Sequence, residues 1–194
     1  MKLRLASASP RRRELVKYLD MPVEILPVDS AEIAFSTDPC IAACEISAEK
    51  ARASVAARSI EAGEVVIGAD TTVCIGTTIL GKPRNREDAE RMISMISGRA
   101  HDVITGVTLC YLGIQGNVCE RSFYEVTHVY VNNISKEEID AYLDLGEYKD
   151  KAGAYAIQGI FSRHIAKIDG DYNNVVGFPV TAIFEELKKI ISEI

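Results

Sequence analysis

No stretch of this sequence approaches the ~20 consecutive apolar residues that a membrane-spanning helix needs. No secretory leader is legible either, because Lys2 and Arg4 precede no long apolar segment. The expected compartment is the cytoplasm, with no membrane partner. Positive charge is also short: 22 Lys and Arg face 28 Asp and Glu, for a formal net charge of -6. That argues against a broad surface for nucleic-acid polymers but leaves room for a small positive pocket. The five cysteines, at 40, 44, 74, 110 and 119, are odd in number and scattered, unlike a disulfide framework. Cys40 and Cys44 have no matching Cys or His pair nearby, so no zinc site is expected. The GxxxxGK[ST] signature is missing, which disfavours a P-loop motor or kinase.

What remains is an ordinary globular balance, 47% apolar and 26% charged, in a length that suits one domain or a compact pair of lobes. Apolar runs predict strands at 2–6, 23–28, 65–69, 101–112, 121–131 and 164–168. Helices are predicted from Pro10 through RRRELVKYL, and over 38–59, 86–97, 135–145 and 180–191. Pro10 and Pro39 suit first helical turns, where a missing N–H costs little. Ala43, Ile46, Ala51 and Val55 form the expected apolar side of the second helix. Ser135 and Glu138 read as a capping box. TTVCIG and TTILG read as a hairpin around Gly76. The mixture, with only some βα alternation, predicts a two-lobed α/β or α+β fold around a groove.

Several stretches carry chemistry. SASPRRREL joins the first strand to the first helix. Arg11 and Arg12 stand where free backbone N–H groups favour an anion, and arginine grips phosphate through a fixed fork. Ser7 and Ser9 add neutral donors, and Arg13 reads as a surface residue. GADTT puts Asp70 at the expected carboxyl end of the VVIGA strand. There it suits a divalent cation or the activation of a water; a turn-capping carboxylate is the plain alternative. Lys82 in LGKP is a point charge for phosphate or an ordinary turn lysine. In GEYKDKAGAYAIQG, Glu147 and Asp150 suit a metal or the ordering of Lys151. Gly153 and Gly159 permit close approach to a ligand, and Gln158 offers a base edge both donor and acceptor. GDYNNVVGFP reads as a loop, with Tyr172 expected to pack on the core. Ser97, Gly98, His101 and Thr105 form a smaller group, in which His101 touches phosphate or holds the loop. His128 and His164 read as structural or surface groups.

In order, SASPRR, GADTT, LGKP, SGRAHDVITGV, DKAGAYAIQG and GDYNNVVGFP resemble the Maf family over essentially the whole chain. The DKAGAYAIQG form is similar to the branch that hydrolyses dTTP and UTP. The resemblance implies one Maf-like domain over 1–194, with an elongated Maf/Ham1-like (ITPase-like) α/β fold of two lobes around a central groove. It implies cleavage of a nucleoside triphosphate to monophosphate and pyrophosphate, a divalent cation (Mg or Mn), and a homodimer. By motif position, Asp70 is the implied proton acceptor, and Arg11, Thr71 and Gln158 set specificity. Ser7, Arg12, Lys50, Lys82 and Lys151 fall on the phosphate side; Glu32 and Glu147, with Asp70, place metal or water. The family is also linked to septum formation. Tyr148 departs from the branch's usual proline, Thr72 from an apolar residue, and GFPV from GLPL. Two other readings stay open: a same-fold enzyme for modified or noncanonical nucleotides, and a nucleotide-binding regulator of septation with little turnover.

Overall fold

The long strand β3 (Glu64–Ile75) organises the molecule. The computed structural model describes residues 1–191. Along one edge, β3 pairs antiparallel with β5 (Ala100–Leu112) from Val65 to Cys74. Two short strands share its other edge. β1 (Lys2–Leu5) runs parallel to Glu64–Ile67, and β4 (Thr78–Leu80) runs antiparallel to Val73–Ile75. Between them, from Gly68 to Thr72, that edge has no strand partner. The sheet runs β2 (Val23–Ile25), β1, β3, β5, β6 (Val118–Val131) and β7 (Ile165–Asp169), with β4 on β3.

The expected strand at 65–69 therefore does not stop at Asp70. Aspartate is a poor strand former, but β-branched Thr71, Thr72 and Val73 follow it, and pairing with β5 continues throughout. Asp70 lies in mid-strand beside the open edge.

Successive strand residues face opposite sides of the sheet. Val65, Ile67, Ala69 and Val73 enter the large core, whereas Val66 and Cys74 enter two small clusters on the other face. Helix α2 (Pro39–Ala57) covers that second face, after α1 (Pro10–Leu15) and one 3₁₀ turn over Val16–Leu19. It sits so close that a Cβ on Gly68 would come 2.2 Å from the Ser47 carbonyl oxygen. One on Gly106 would come 2.3 Å from the Ala43 carbonyl. Small residues make this contact: Ala42, Ala43, Ser47, Ala48 and Ala51 are buried, while Ile46 and Val55 lie half-buried on the flanks. Buried Arg4 clamps the far end of α2 through the carbonyls of Ser54, Arg58 and Ser59, and its charge is paired by Glu64.

The remaining helices are α3 (Arg86–Ile96), α4 (Lys136–Asp144), α5 (Tyr172–Val176) and α6 (Val180–Ile191). The Ser135–Glu138 capping box forms, and the hairpin turns at Gly76. GDYNNVVGFP is not a plain loop. Asp171 caps α5 by accepting the Asn173 N–H at 2.7 Å, and Gly177 closes it at φ +119°. Tyr172 is 45% exposed rather than packed on the core. Among the described residues, no helix is long and apolar enough to cross a membrane.

Candidate functional site

A cavity of about 540 Å³ opens over the unpartnered stretch of β3. Its walls are the SASPRR turn, one flank of α2, the segment from Asp150 to Gln158, and the end of α5. Ser7, Arg11, Arg12, Glu32, Lys50, Asp70, Thr71, Lys82, Lys151 and Gln158 all line it. Glu147 does not. Its carboxylate accepts the Ile160 N–H at 2.9 Å and lies over Gly159, where a Cβ would meet it at 2.2 Å. Gly153, at φ +68°, makes room for the Val73 side chain rather than for a ligand. These two glycines order the segment from within.

Asp70 faces α2. Lys50 Nζ donates to Asp70 Oδ1 at 2.7 Å and to Glu32 Oε1 at 2.9 Å. Lys82 reaches Glu32 Oε2 at 3.4 Å. The hydrogen bond from Lys50 holds the Glu32 carboxyl below its ordinary range, against the opposing effect of burial. Among the described residues, no group of three or more His, Cys, Asp or Glu side chains stands ready to hold a metal ion. A magnesium-type ion typically takes one or two carboxylates, keeps waters, and completes its shell with substrate phosphates. Asp70 and Glu32, brought together on one lysine, fit that donor set.

Thr71 faces the other way. Arg12 Nε donates to the Gly177 carbonyl at 2.8 Å, and Arg12 Nη2 to Thr71 Oγ1 at 2.9 Å. Thr71 Oγ1 lies 3.0 Å from Thr105 Oγ1, which donates to the Asn174 carbonyl at 3.2 Å. Burial lowers the Arg12 pKa; nearby Asp70 opposes the shift, and Arg11 adds to it. The guanidinium remains charged, because arginine does not deprotonate in proteins.

The wall that carries Arg11 and Lys151 is cationic, and neither side chain makes an ion pair among the described residues. Burial pushes the Arg11 pKa down. Lys151 donates only to the Lys149 carbonyl; burial, then the charge of Arg11, lowers its pKa. Gln158 is exposed and makes no hydrogen bond within the described protein. Behind this wall, buried His101 Nε2 lies 2.8 Å from the Tyr155 hydroxyl, so His101 holds the segment and does not reach the cavity. An anion between Arg11 and Lys151 would relieve both shifts.

A family model described as "Maf-like protein" matches residues 2–190. The chain belongs to the Maf family. It is 44% identical, over 96% of each chain, to a protein of Agathobacter rectalis named dTTP/UTP pyrophosphatase. It is 46% identical to a protein of the same name from Carboxydothermus hydrogenoformans, over 97% of this chain and 98% of that one. Among solved structures, the Ham1 protein of Staphylococcus aureus superposes with a TM-score of 0.54 at 12% identity, covering 97% of this chain and 99% of the other. The Coxiella burnetii HAM1 protein gives 0.53, also at 12% identity, covering 99% and 98%. At that identity the likeness establishes the Maf/Ham1-like fold alone.

For this Maf protein the site is legible as chemistry: a carboxylate next to lysines on one side, and, on the other, cations without an ion pair among the described residues. Sequence reasoning grouped Thr105 with its neighbours without giving it a role, and passed over Asn174 and Tyr155. Asn174 had a usable signal. Asp171 and Gly177 bracket it as cap and stop, which marks a short helix rather than a loop.

Proposed function

We propose that this chain hydrolyses dTTP and UTP to the nucleoside monophosphate and pyrophosphate. The carrying observation is the opposition of Asp70, held by Lys50 beside Glu32, to Arg11 and Lys151 across one cavity. The names of the similar proteins support the substrate pair. Arg11, Arg12, Lys151 and the Ser7 hydroxyl offset the charge of the triphosphate. Lys82 and Lys50, both on Glu32, stand beside the same path. Asp70 accepts the proton of a water whose oxygen bonds to the α phosphorus, while the bridge to the β phosphate breaks and pyrophosphate leaves. Asp70 and Glu32 would hold a divalent cation, Mg or Mn, which would supply charge neutralisation on the phosphate oxygens. Thr71 and Gln158 face the pyrimidine edge.

The same reading takes the chain as one Maf-like domain acting in the cytoplasm, where its five free cysteines stay reduced, and forming a homodimer. A panel of dTTP, UTP, CTP, purine and base-modified triphosphates, with Mg and with Mn, tests the activity. Equimolar monophosphate and pyrophosphate, fastest from dTTP and UTP, is the expected result. Orthophosphate alone overturns the bond assignment, preference for modified bases overturns the substrate, and saturable binding without product overturns catalysis.

A further inference from the structure

The hydrogen bonds around Arg12 close into a ring. One arm runs from Arg12 Nη2 to Thr71 Oγ1, to Thr105 Oγ1, to the Asn174 carbonyl. The other runs from Arg12 Nε to the Gly177 carbonyl, and the Gly177 N–H donates to the same Asn174 carbonyl at 2.9 Å. Asn174 is anchored in turn. It is fully buried, and its Nδ2 donates to the Val103 carbonyl at 3.0 Å and to Thr127 Oγ1 at 2.9 Å.

One proton order satisfies every link of the ring. Thr105 spends its single hydroxyl hydrogen on the Asn174 carbonyl, so it must accept from Thr71. Thr71, having spent its hydrogen on Thr105, must accept from Arg12. Without the Thr105 oxygen, the Thr71 hydrogen can turn to the Gly177 carbonyl, at 3.5 Å. That carbonyl is the acceptor of Arg12 Nε. Removing the Thr105 hydroxyl thus takes away the acceptor that fixes the Thr71 hydroxyl, and the Thr71 oxygen is no longer held in place to accept from Arg12 Nη2.

We propose that Thr105, fully buried and outside the cavity lining, is a positioning residue that fixes the Arg12 guanidinium through Thr71. The kinetic half of this inference rests on the proposed phosphate role of Arg12; the structural half does not. The ring leaves three of the five guanidinium N–H donors for a ligand. It fixes their direction before any ligand arrives, so binding need not order a long side chain.

The test compares wild type, Thr105→Val and Thr105→Ser, each labelled with nitrogen-15. The Arg12 Nε–H signal is identified by its loss in Arg12→Lys. In wild type and Thr105→Ser, which keeps the hydroxyl, this hydrogen should exchange slowly with solvent. In Thr105→Val, exchange should quicken by about tenfold or more. With UTP, Thr105→Val should raise KM by about tenfold while kcat changes by less than about threefold, and Thr105→Ser should restore both. Equal exchange in wild type and Thr105→Val overturns the proposal. Equal loss in Thr105→Ser and Thr105→Val also overturns it, because packing and not the hydroxyl would then be responsible. If wild type releases no pyrophosphate, the proposed activity fails, while the exchange measurement, which needs no substrate, still decides the role of Thr105. Should Thr105→Val not fold, Thr127→Val carries the same exchange test. Its missing hydroxyl loosens Asn174 from further away; faster exchange supports the ring, and unchanged exchange overturns it.

Discussion

Asp70 and Thr71 are adjacent on one strand, yet they work on opposite faces of the sheet and in opposite settings. Asp70 looks toward α2, into a cluster with Lys50 and Glu32 that solvent reaches. Thr71 looks toward the large core, into a ring whose members Thr105 and Asn174 are fully buried. A proton acceptor must meet water and ions, so it belongs on the accessible side. A guanidinium meant to hold one direction gains from the rigid side. The unpaired edge of β3 between β1 and β4 lets one cavity draw on both.

Asp70→Asn breaks the comparison hardest. The amide keeps the shape, and Lys50 keeps Glu32 as its ionic partner, so the fold should survive with little change in melting temperature. Pyrophosphate release should drop by about 10²–10⁴, the usual worth of a positioned base. Undiminished turnover in a folded variant would mean that the accessible face is not where the proton goes.

The rigid face makes its own prediction, through pH. His101 shares that face with Thr105 and is 2% exposed; burial holds its pKa at about 4, below the ordinary 6.5, against the opposing charge of Asp102. Below pH 6.5 the unfolded chain therefore takes up a proton that the folded chain refuses. Stability from this group is complete above 6.5 and falls as the pH drops toward 4, by about 3 kcal/mol, or ~10² in the folding equilibrium. Urea midpoints at pH 7, 6, 5 and 4 read it. A flat profile that His101→Phe does not alter would remove His101 as a stability determinant on this face.

Much of this architecture is written locally, and the exceptions have a common cause. The caps at Ser135 and Asp38, the prolines opening α1 and α2, and the Gly76 hairpin are short-range signals, and each appears where its residues stand. β3 was cut short because the pairing that carries it through Asp70 comes from β5, more than thirty residues away. The buried stripe of α2 runs through Ser47 and Ala48 and not Ile46, because Gly68 and Gly106 favour a closely docked helix over a bulky one. In the site, residues with charge or an amide were visible as candidates. Glu147 carries the same carboxylate as Glu32, yet it is spent on the Ile160 N–H, and nothing in its neighbours' identities separates the two. The Arg12 ring was invisible, because every member besides Arg12 is a threonine hydroxyl or a backbone group, drawn from segments far apart in sequence.

Gln158 gives the smallest effect and the finest discrimination between the two faces. Thr71 has spent its hydrogen in the ring, so toward a ligand it can only accept. Gln158 is exposed at the cavity, and its whole amide is uncommitted. Uracil and thymine present an N–H between two carbonyls, whereas cytosine has an unprotonated ring nitrogen there and an amino group in place of one carbonyl. An acceptor alone can meet the N–H, but only a group that also donates can meet the adjacent carbonyl. Gln158→Ala should therefore lower the preference of kcat/KM for UTP over CTP by about 2–10-fold, the value of one neutral hydrogen bond. Thr71→Val should instead weaken both substrates strongly, since its main loss is the Arg12 ring, and shift the UTP:CTP ratio less than Gln158→Ala does. A UTP:CTP ratio that moves with Thr71 and not with Gln158 would transfer base reading to the rigid face.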